Sequence, residues 1–385
     1  MNTFKSKVIC IAGHRHLSEK DGGVELQTHY IGHILAEAGW HVHFLSPSNM
    51  SNKGCEEIAQ NTWLWRYPQK SFSFQYKSKY FENIIRQICP SVFYQRGRSQ
   101  LQEKGIILKY ALKNDIPFVF ALSSDADLNL FFNTNAILRN TNSYWKKFLI
   151  APYLIFYDLK YRNLLKKAPY LVVQHENQLL LAKSTLNREA IILRTLHPEL
   201  KCDAVKDQET RVIWISNYRP WKRSELFFDL AKALKRLECR FEFVYGKTSD
   251  EYLKNIISDV NNCSGNLDIF GELASREAEK YIEQSSILVN TSLPYEGFPN
   301  TFVQAWLRET PTVSFEVDPG NVISREKIGY VSRDFKQFVS DVEYLIINNN
   351  IRKEMGKRAR QYAEKVHGLN SNREYYVRFF NSIIQ

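Results

Sequence analysis

Between Leu293 and Trp306 the sequence reads LPYEGFPNTFVQAW. A carboxylate, Glu296, stands in a short Gly- and Pro-containing turn that runs into an apolar helix pattern. Asn300 or Thr301 can cap that helix with a side-chain oxygen. Free amides of a first helical turn, together with the helix dipole, form an anion site. Gly297 lets backbone approach a ligand, and Pro299 fixes one φ and stiffens the turn. An anion would repel Glu296, so the carboxylate suits a neutral, hydroxyl-rich neighbour. An ionised carboxylate only accepts hydrogen bonds, and sugar hydroxyls donate them. Gln304, about one turn into the helix, can donate and accept. Taken singly, Glu296 is equally an ordinary acid at a helix start, and Gln304 an exposed helix residue.

SNYRPWKRSE, residues 216–225, is a second such place, again after a strand pattern and before a helix pattern. Arg219 and Lys222 lie in the connecting loop, where two fixed cations would hold a diphosphate and neutralise it as it leaves. The other reading is a solvated basic loop. A third place is DGGVE, where Gly22 and Gly23 precede the first helix. They either press backbone amides on the same phosphate from another domain or form a plain turn.

These loops need strands and helices to aim them. KVICIAG (7–13) reads as a buried strand, VELQTHYIGHILAEAG (24–39) as an amphipathic helix ending on Gly39, and WHVHFLSP as a second strand. Strand patterns recur at 91–96, 117–124 and 170–176, with a helix over 102–115. The polar, aperiodic stretch 196–210 reads as a linker. A second series begins at TRVIWISN (210–217) and continues through SELFFDLAKALKRL, RFEFVYG, NLDIFG, SREAEKYIEQS, SILVNTS and TPTVSFEV, before a mostly helical tail. This alternation predicts an α/β protein of two Rossmann-like, doubly wound domains. Ligands of such sheets bind beyond the carboxyl ends of the strands.

Other motifs are weaker. The pairs His14/His16 and His41/His43 lack a completing ligand by spacing, so no metal site is expected. Ser124, Asp125 and Asp127 either line a cleft or form an N-cap cluster. The glycines of GHRHLSEKDGG do not fit a dinucleotide-binding fingerprint.

Six scattered cysteines, none in C-x-x-C spacing, point to reduced thiols in a cytoplasmic protein. The opening apolar run is too short for a signal-peptide core, and FLIAPYLIFY (148–157) is too short to span a bilayer. The net charge is +11, and residues 1–205 hold 26 Lys+Arg against 16 Asp+Glu, while the remainder holds 26 against 25. The excess in the first half points to a polyanionic partner or an anionic membrane surface, or to a solvated lysine-rich exterior. Residues 143–171 combine six Lys/Arg and one Asp with aromatic and aliphatic side chains. That is the composition of a membrane-surface segment, or of a core helix with a basic edge. No RNA- or DNA-binding signature accompanies it.

On these residues the chain resembles glycosyltransferase family 4, with the two-domain GT-B fold. The likeness lies in GGVELQTHYIGHILAEAGWHV, VIWISNYRPWKRSELFFDLAKAL and above all NTSLPYEGFPNTFVQAWLRETPTVSF, with RKEMGKRARQYAEKVHG similar to the family's closing helices. The resemblance implies two Rossmann-like domains facing across a cleft. Residues 1–205 would be the acceptor-side domain, 206–368 the nucleotide-sugar donor domain, and 369–385 a helix crossing back to the first domain. It implies a retaining transfer from a nucleotide-sugar, without metal or other cofactor. The acceptor would be a glycan or lipid-linked glycan in cell-surface polysaccharide assembly, on the inner face of the plasma membrane. Arg219 and Lys222 would hold the diphosphate. Glu296 and the backbone of Gly297, Phe298 and Pro299 would hold the sugar, and Asn300 and Thr301 would offer amides to phosphate. Where the family commonly has a second Glu touching the ribose, this chain has Gln304, which favours front-face substitution over a carboxylate nucleophile. The family's histidine after a first-domain strand is not evident; YQRG (94–97) lies where it is sought. The competing reading is a non-catalytic sugar-nucleotide or polyanion-binding protein.

Overall fold

The computed structural model describes residues 6–20, 22–48, 54–68, 74–139, 143–200, 206, 209–246, 251, 253, 254, 257, 258, 266–271, 273 and 275–384. The chain forms two compact units, Met1–Leu196 with Arg373–Gln385, and His197–Asn372. The sequence places these boundaries at 205/206 and 368/369. Backbone and carboxylate bonds hold residues 197–199 within the second unit. His197 N donates to His367 O and Leu369 N to His197 O, both at 2.9 Å, and the Glu199 carboxylate accepts from Asn370 N at 2.9 Å.

In the first unit, β1 Val8–Ala12, β2 His41–Ser48, β3 Gly54–Ala59, β4 Thr62–Pro68, β5 Val92–Arg96, β6 Phe118–Ala121, β7 Tyr170–Val173 and β8 Ile191–Ile192 form one sheet. Their order is β3-β4-β2-β1-β5-β6-β7-β8, parallel except for β3 against β4. The helices are α1 Gly23–Glu37, α2 Phe74–Ile88, α3 Leu101–Lys113, α4 Phe132–Arg139, α5 Tyr144–Lys167 and α6 Glu176–Leu186. The inner strands β5 and β6 are buried along their length, as strands covered on both faces must be. The C-terminal segment belongs to this core: Phe380 lies edge-on to Trp40 and Tyr94, each at 6.1 Å.

In the second unit, β9 Arg211–Ser216, β10 Arg240–Tyr245, β11 Leu267–Gly271, β12 Ile287–Asn290, β13 Thr312–Ser314 and β14 Gly329–Val331 form an all-parallel sheet, ordered β11-β10-β9-β12-β13-β14. Helix α7, Ser224–Ala233, follows β9. Trp214 stacks on Phe243 at 4.5 Å and Phe227 meets Phe241 at 5.9 Å, locking β9, β10 and α7 together. The strand order reverses between β9 and β12, so the ligand crevice expected of this topology opens at their carboxyl ends. Those ends lead into the loops that hold Arg219, Lys222 and Glu296.

Candidate active site

β9 ends at Ser216, and the chain turns through one 3-10 turn, Pro220–Lys222, before α7. Pro220 suits the first position of such a turn. β12 ends at Asn290, and residues 291–299 lead to the helix Asn300–Trp306. The two loops are stitched together. Leu293 N donates to Trp221 O at 2.9 Å. Thr291 Oγ1 donates to Lys222 O at 2.5 Å and accepts from Trp214 Nε1 at 2.8 Å.

Arg223 supplies the strongest stitch. It holds φ at +47°, and its guanidinium donates to Thr291 O at 2.8 Å, Ser292 O at 3.1 Å and Glu316 Oε2 at 3.0 Å. It also rests over the Phe315 ring at 4.9 Å. This residue positions both loops. Sequence reasoning missed it because it stands beside Arg219 and Lys222, and composition alone does not show which cation serves the backbone.

Stitched in this way, the loops bring Lys222 and Glu296 into an ion pair, Nζ to Oε1. Their side chains keep 15% and 13% exposure. Burial lowers the Lys222 ammonium to about 7, which the touching carboxylate opposes. The other oxygen, Glu296 Oε2, is buried and accepts no hydrogen bond from the described residues. A buried acceptor is costly unless something donates to it, so this atom is set for a donor hydroxyl. Arg219 is exposed and pairs with no carboxylate among the described residues; its Nη1 reaches only Tyr218 O, at 3.4 Å.

The turn residues divide by role. Gly297 sits at φ +85°, a conformation that favours glycine. The Phe298 side chain is buried against His367 at 4.6 Å and Trp306 at 5.9 Å. Asn300 and Thr301 do not cap the helix. Pro299, at φ −63° and ψ 127°, is the cap residue, no side chain caps it, and the helix starts at Asn300. The extended Pro299 moves the boundary one residue earlier, and the Asn300 side chain bonds His197, whose imidazole burial lowers to about 3. The helix is only seven residues long, so charge at the site comes from Lys222 and Arg219 rather than from its dipole. Gln304 is half-buried within it.

Gly22 and Gly23 belong to the first unit. Gly22 precedes α1 in extended backbone, and a Cβ there would meet Glu25 Oε2 at 2.5 Å. Glu25 is itself bonded to Lys20 Nζ at 2.8 Å. Histidines of the H-x-H pairs bond other protein groups. His14 bonds Arg96 O and Ser99 Oγ, His16 bonds Ser18 Oγ at 2.8 Å, and His43 Nδ1 accepts from Trp65 Nε1 at 3.0 Å. No group of three His, Cys, Asp or Glu residues is gathered for a metal among the described residues. Ser124 and Asp127 form a reciprocal capping box on the turn Asp125–Leu128.

YQRG holds an unforeseen cation. Buried Lys104 donates to Arg96 O and Gly97 O, both at 2.6 Å, and burial lowers it to about 7. The sequence signal was a lysine on the apolar stripe Leu101, Leu108, Ala111.

Residues 209–348 match the family profile described as Glycosyl transferases group 1. That match spans 140 of the 385 residues and lies within the second unit. The chain matches no curated protein in a sequence comparison. Among solved structures, sucrose-phosphate synthase from Thermosynechococcus elongatus superposes with a TM-score of 0.73 at 12% identity, covering 98% of this chain and 99% of that one. Anabaena HepE in complex with UDP-glucose gives 0.69 at 13% identity, over 97% and 99%. WaaG, a glycosyltransferase involved in lipopolysaccharide biosynthesis, gives 0.66 at 11%, over 97% and 99%. The chain therefore has the GT-B fold of these structures.

Proposed function

We propose that this glycosyltransferase moves a sugar from a nucleotide-sugar to a hydroxyl of a glycan or lipid-linked acceptor, with retention at the anomeric carbon. The observation that carries the reading is Glu296, with one oxygen on Lys222 and the other buried and unsatisfied. The donor's diphosphate draws Lys222 away from Glu296 and adds Arg219 as a second cation. Glu296 then accepts from the sugar's hydroxyls, the backbone of Gly297, Phe298 and Pro299 flanks the sugar, the amides of Asn300 and Thr301 face the phosphate, and Gln304 bonds the ribose. The bond from the anomeric carbon to the leaving phosphate breaks, the acceptor oxygen bonds the same face, and its proton passes to the leaving phosphate. Two cations already oppose the developing charge, so turnover should persist in a chelator.

The likeness to HepE, a structure that holds UDP-glucose, and to WaaG supports this donor class and an acceptor in cell-surface glycan assembly. The exposed apolar and basic side chains of α5 support docking on the anionic inner face of the plasma membrane. No helix among the described residues is long and apolar enough to cross a membrane. The test is nucleotide-sugar turnover by Arg219→Ala, Lys222→Ala and Glu296→Ala. Losses of about 10²–10³ in kcat are expected for a removed charge-stabilising contact; near-wild-type rates in all three overturn the reading.

A further inference from the structure

The transfer chemistry makes no use of the 24-residue helix α5. Its inner stripe, Leu154, Asp158, Tyr161, Leu164 and Leu165, is buried. Asp158 fastens it, accepting from Arg98 Nη1 at 3.1 Å, Thr134 N at 3.0 Å and Thr134 Oγ1 at 2.8 Å. Held on that face, the helix leaves the opposite one bare: Tyr144 is 85% exposed, Trp145 79%, Phe148 74% and Leu149 73%. Monomeric soluble proteins rarely leave so contiguous an apolar patch uncovered.

Between α3 and α5 lies an open groove of about 640 Å³, within the range of ligand pockets. Its floor is Leu101, Leu108 and Leu164, and Phe156 and Leu112 are among its walls. Lys109, Lys160 and Lys167 are the only charged groups among the described residues that line it. Lys160 lays its ammonium over the Phe156 ring at 4.5 Å, an apolar stem with a charged tip at the rim. The only acids of α3 and α5, Glu103 and Asp158, are buried, Glu103 paired with Lys77 and Asp158 with Arg98. Every exposed charge on the two helices is therefore positive. A groove with an apolar floor and cationic rim complements a molecule with a hydrocarbon body and an anionic head.

We propose that this groove receives one acyl chain of an anionic phospholipid from the bilayer, with Lys109, Lys160 and Lys167 about its phosphate. The inference rests on the membrane-docking part of the function proposed above and makes it specific: α5 lies on the surface, and the groove beside it extracts a chain.

Gly105 lines the groove, and a Cβ added to it meets nothing within 4 Å. Gly105→Phe therefore fills the cavity without a clash at Cβ and with better helix propensity, leaving the lysines and the exposed aromatics in place. The full chain is irradiated with phosphatidylcholine–phosphatidylglycerol vesicles whose phosphatidylglycerol carries a diazirine on one acyl chain, and adducts are mapped by mass spectrometry. The wild type should be labelled at Leu108, Leu112 and Phe156. Gly105→Phe should lose about tenfold of that labelling while still sedimenting with the vesicles, and circular dichroism should show it folded. Labelling confined to Tyr144–Leu149, or unchanged in Gly105→Phe, overturns the groove and leaves surface docking standing. Failure of the wild type to sediment with these vesicles overturns both.

Discussion

The ion pair of Lys222 with Glu296 makes an unusual demand: one substitution should strengthen binding of the nucleotide product and weaken turnover. On the proposed function, the diphosphate has to compete with Glu296 for Lys222. Glu296→Gln removes the competitor and its repulsion of phosphate, at similar side-chain size. The two side chains, 15% and 13% exposed, lie between surface pairs worth about 0–1 kcal/mol and buried pairs whose breakage costs about 3–5 kcal/mol. A competing contact of about 1–2 kcal/mol is the reasonable value, which is roughly a 5- to 30-fold gain in affinity for a sugar-free nucleoside diphosphate. Turnover of the sugar-nucleotide should move the other way, by about 10²-fold, because the amide cannot replace an acceptor-only carboxylate on the sugar. Isothermal titration calorimetry with the nucleoside diphosphate, beside steady-state kinetics, measures both. Unchanged or weaker nucleoside diphosphate binding in Glu296→Gln would refute the exchange of Lys222 between carboxylate and phosphate.

Lys222 also sets a pH dependence. Its folded pKa, about 7, lies below the usual lysine value of about 10.4. The unfolded chain therefore binds the extra proton between those values, so this lysine costs stability below about pH 7, and the cost fades as pH rises. Donor binding runs oppositely: the ammonium that grips phosphate is lost above pH 7, so donor KM should rise up to about tenfold per unit from pH 7 to 9 and stay flat in Lys222→Arg. Gly297→Ala, at φ +85°, should cost about 1–2 kcal/mol of backbone strain and displace Glu296; kcat/KM falling about tenfold in kinetic assays is the expected outcome. Asp158→Ala leaves Arg98 without one of its carboxylates and Thr134 N unbonded, costing about 3 kcal/mol. Thermal denaturation should register that loss, while nucleoside diphosphate affinity stays unchanged.

The parts of the fold legible in the sequence were those whose pattern is local. KVICIAG, TRVIWISN and SILVNTS read as strands because buried parallel strands are apolar runs closed by turn residues. β3 gave no such signal: GCEEIA is an exposed antiparallel edge strand with two acids. Helix α2 had a readable stripe, Phe81, Ile84, Ile85 and Ile88, all buried, but it follows a stretch where the βα alternation breaks. At the site, residue types and order placed Arg219, Lys222 and Glu296 on one rim. Nothing local could show that Lys222 and Glu296, 74 positions apart, pair with one another, or that Arg223 ties their loops. The Asn300 cap failed for a similar reason, since its competitor, His197, is distant in sequence.

The decisive experiment is a crystal structure with an intact nucleotide-sugar bound. Lys222 Nζ should have left Glu296 for the diphosphate, with Arg219 closing on the same group and Glu296 accepting from sugar hydroxyls. A bound donor that leaves the Lys222–Glu296 pair closed, with the diphosphate away from the carboxyl ends of β9 and β12, would show that the site has been misassigned.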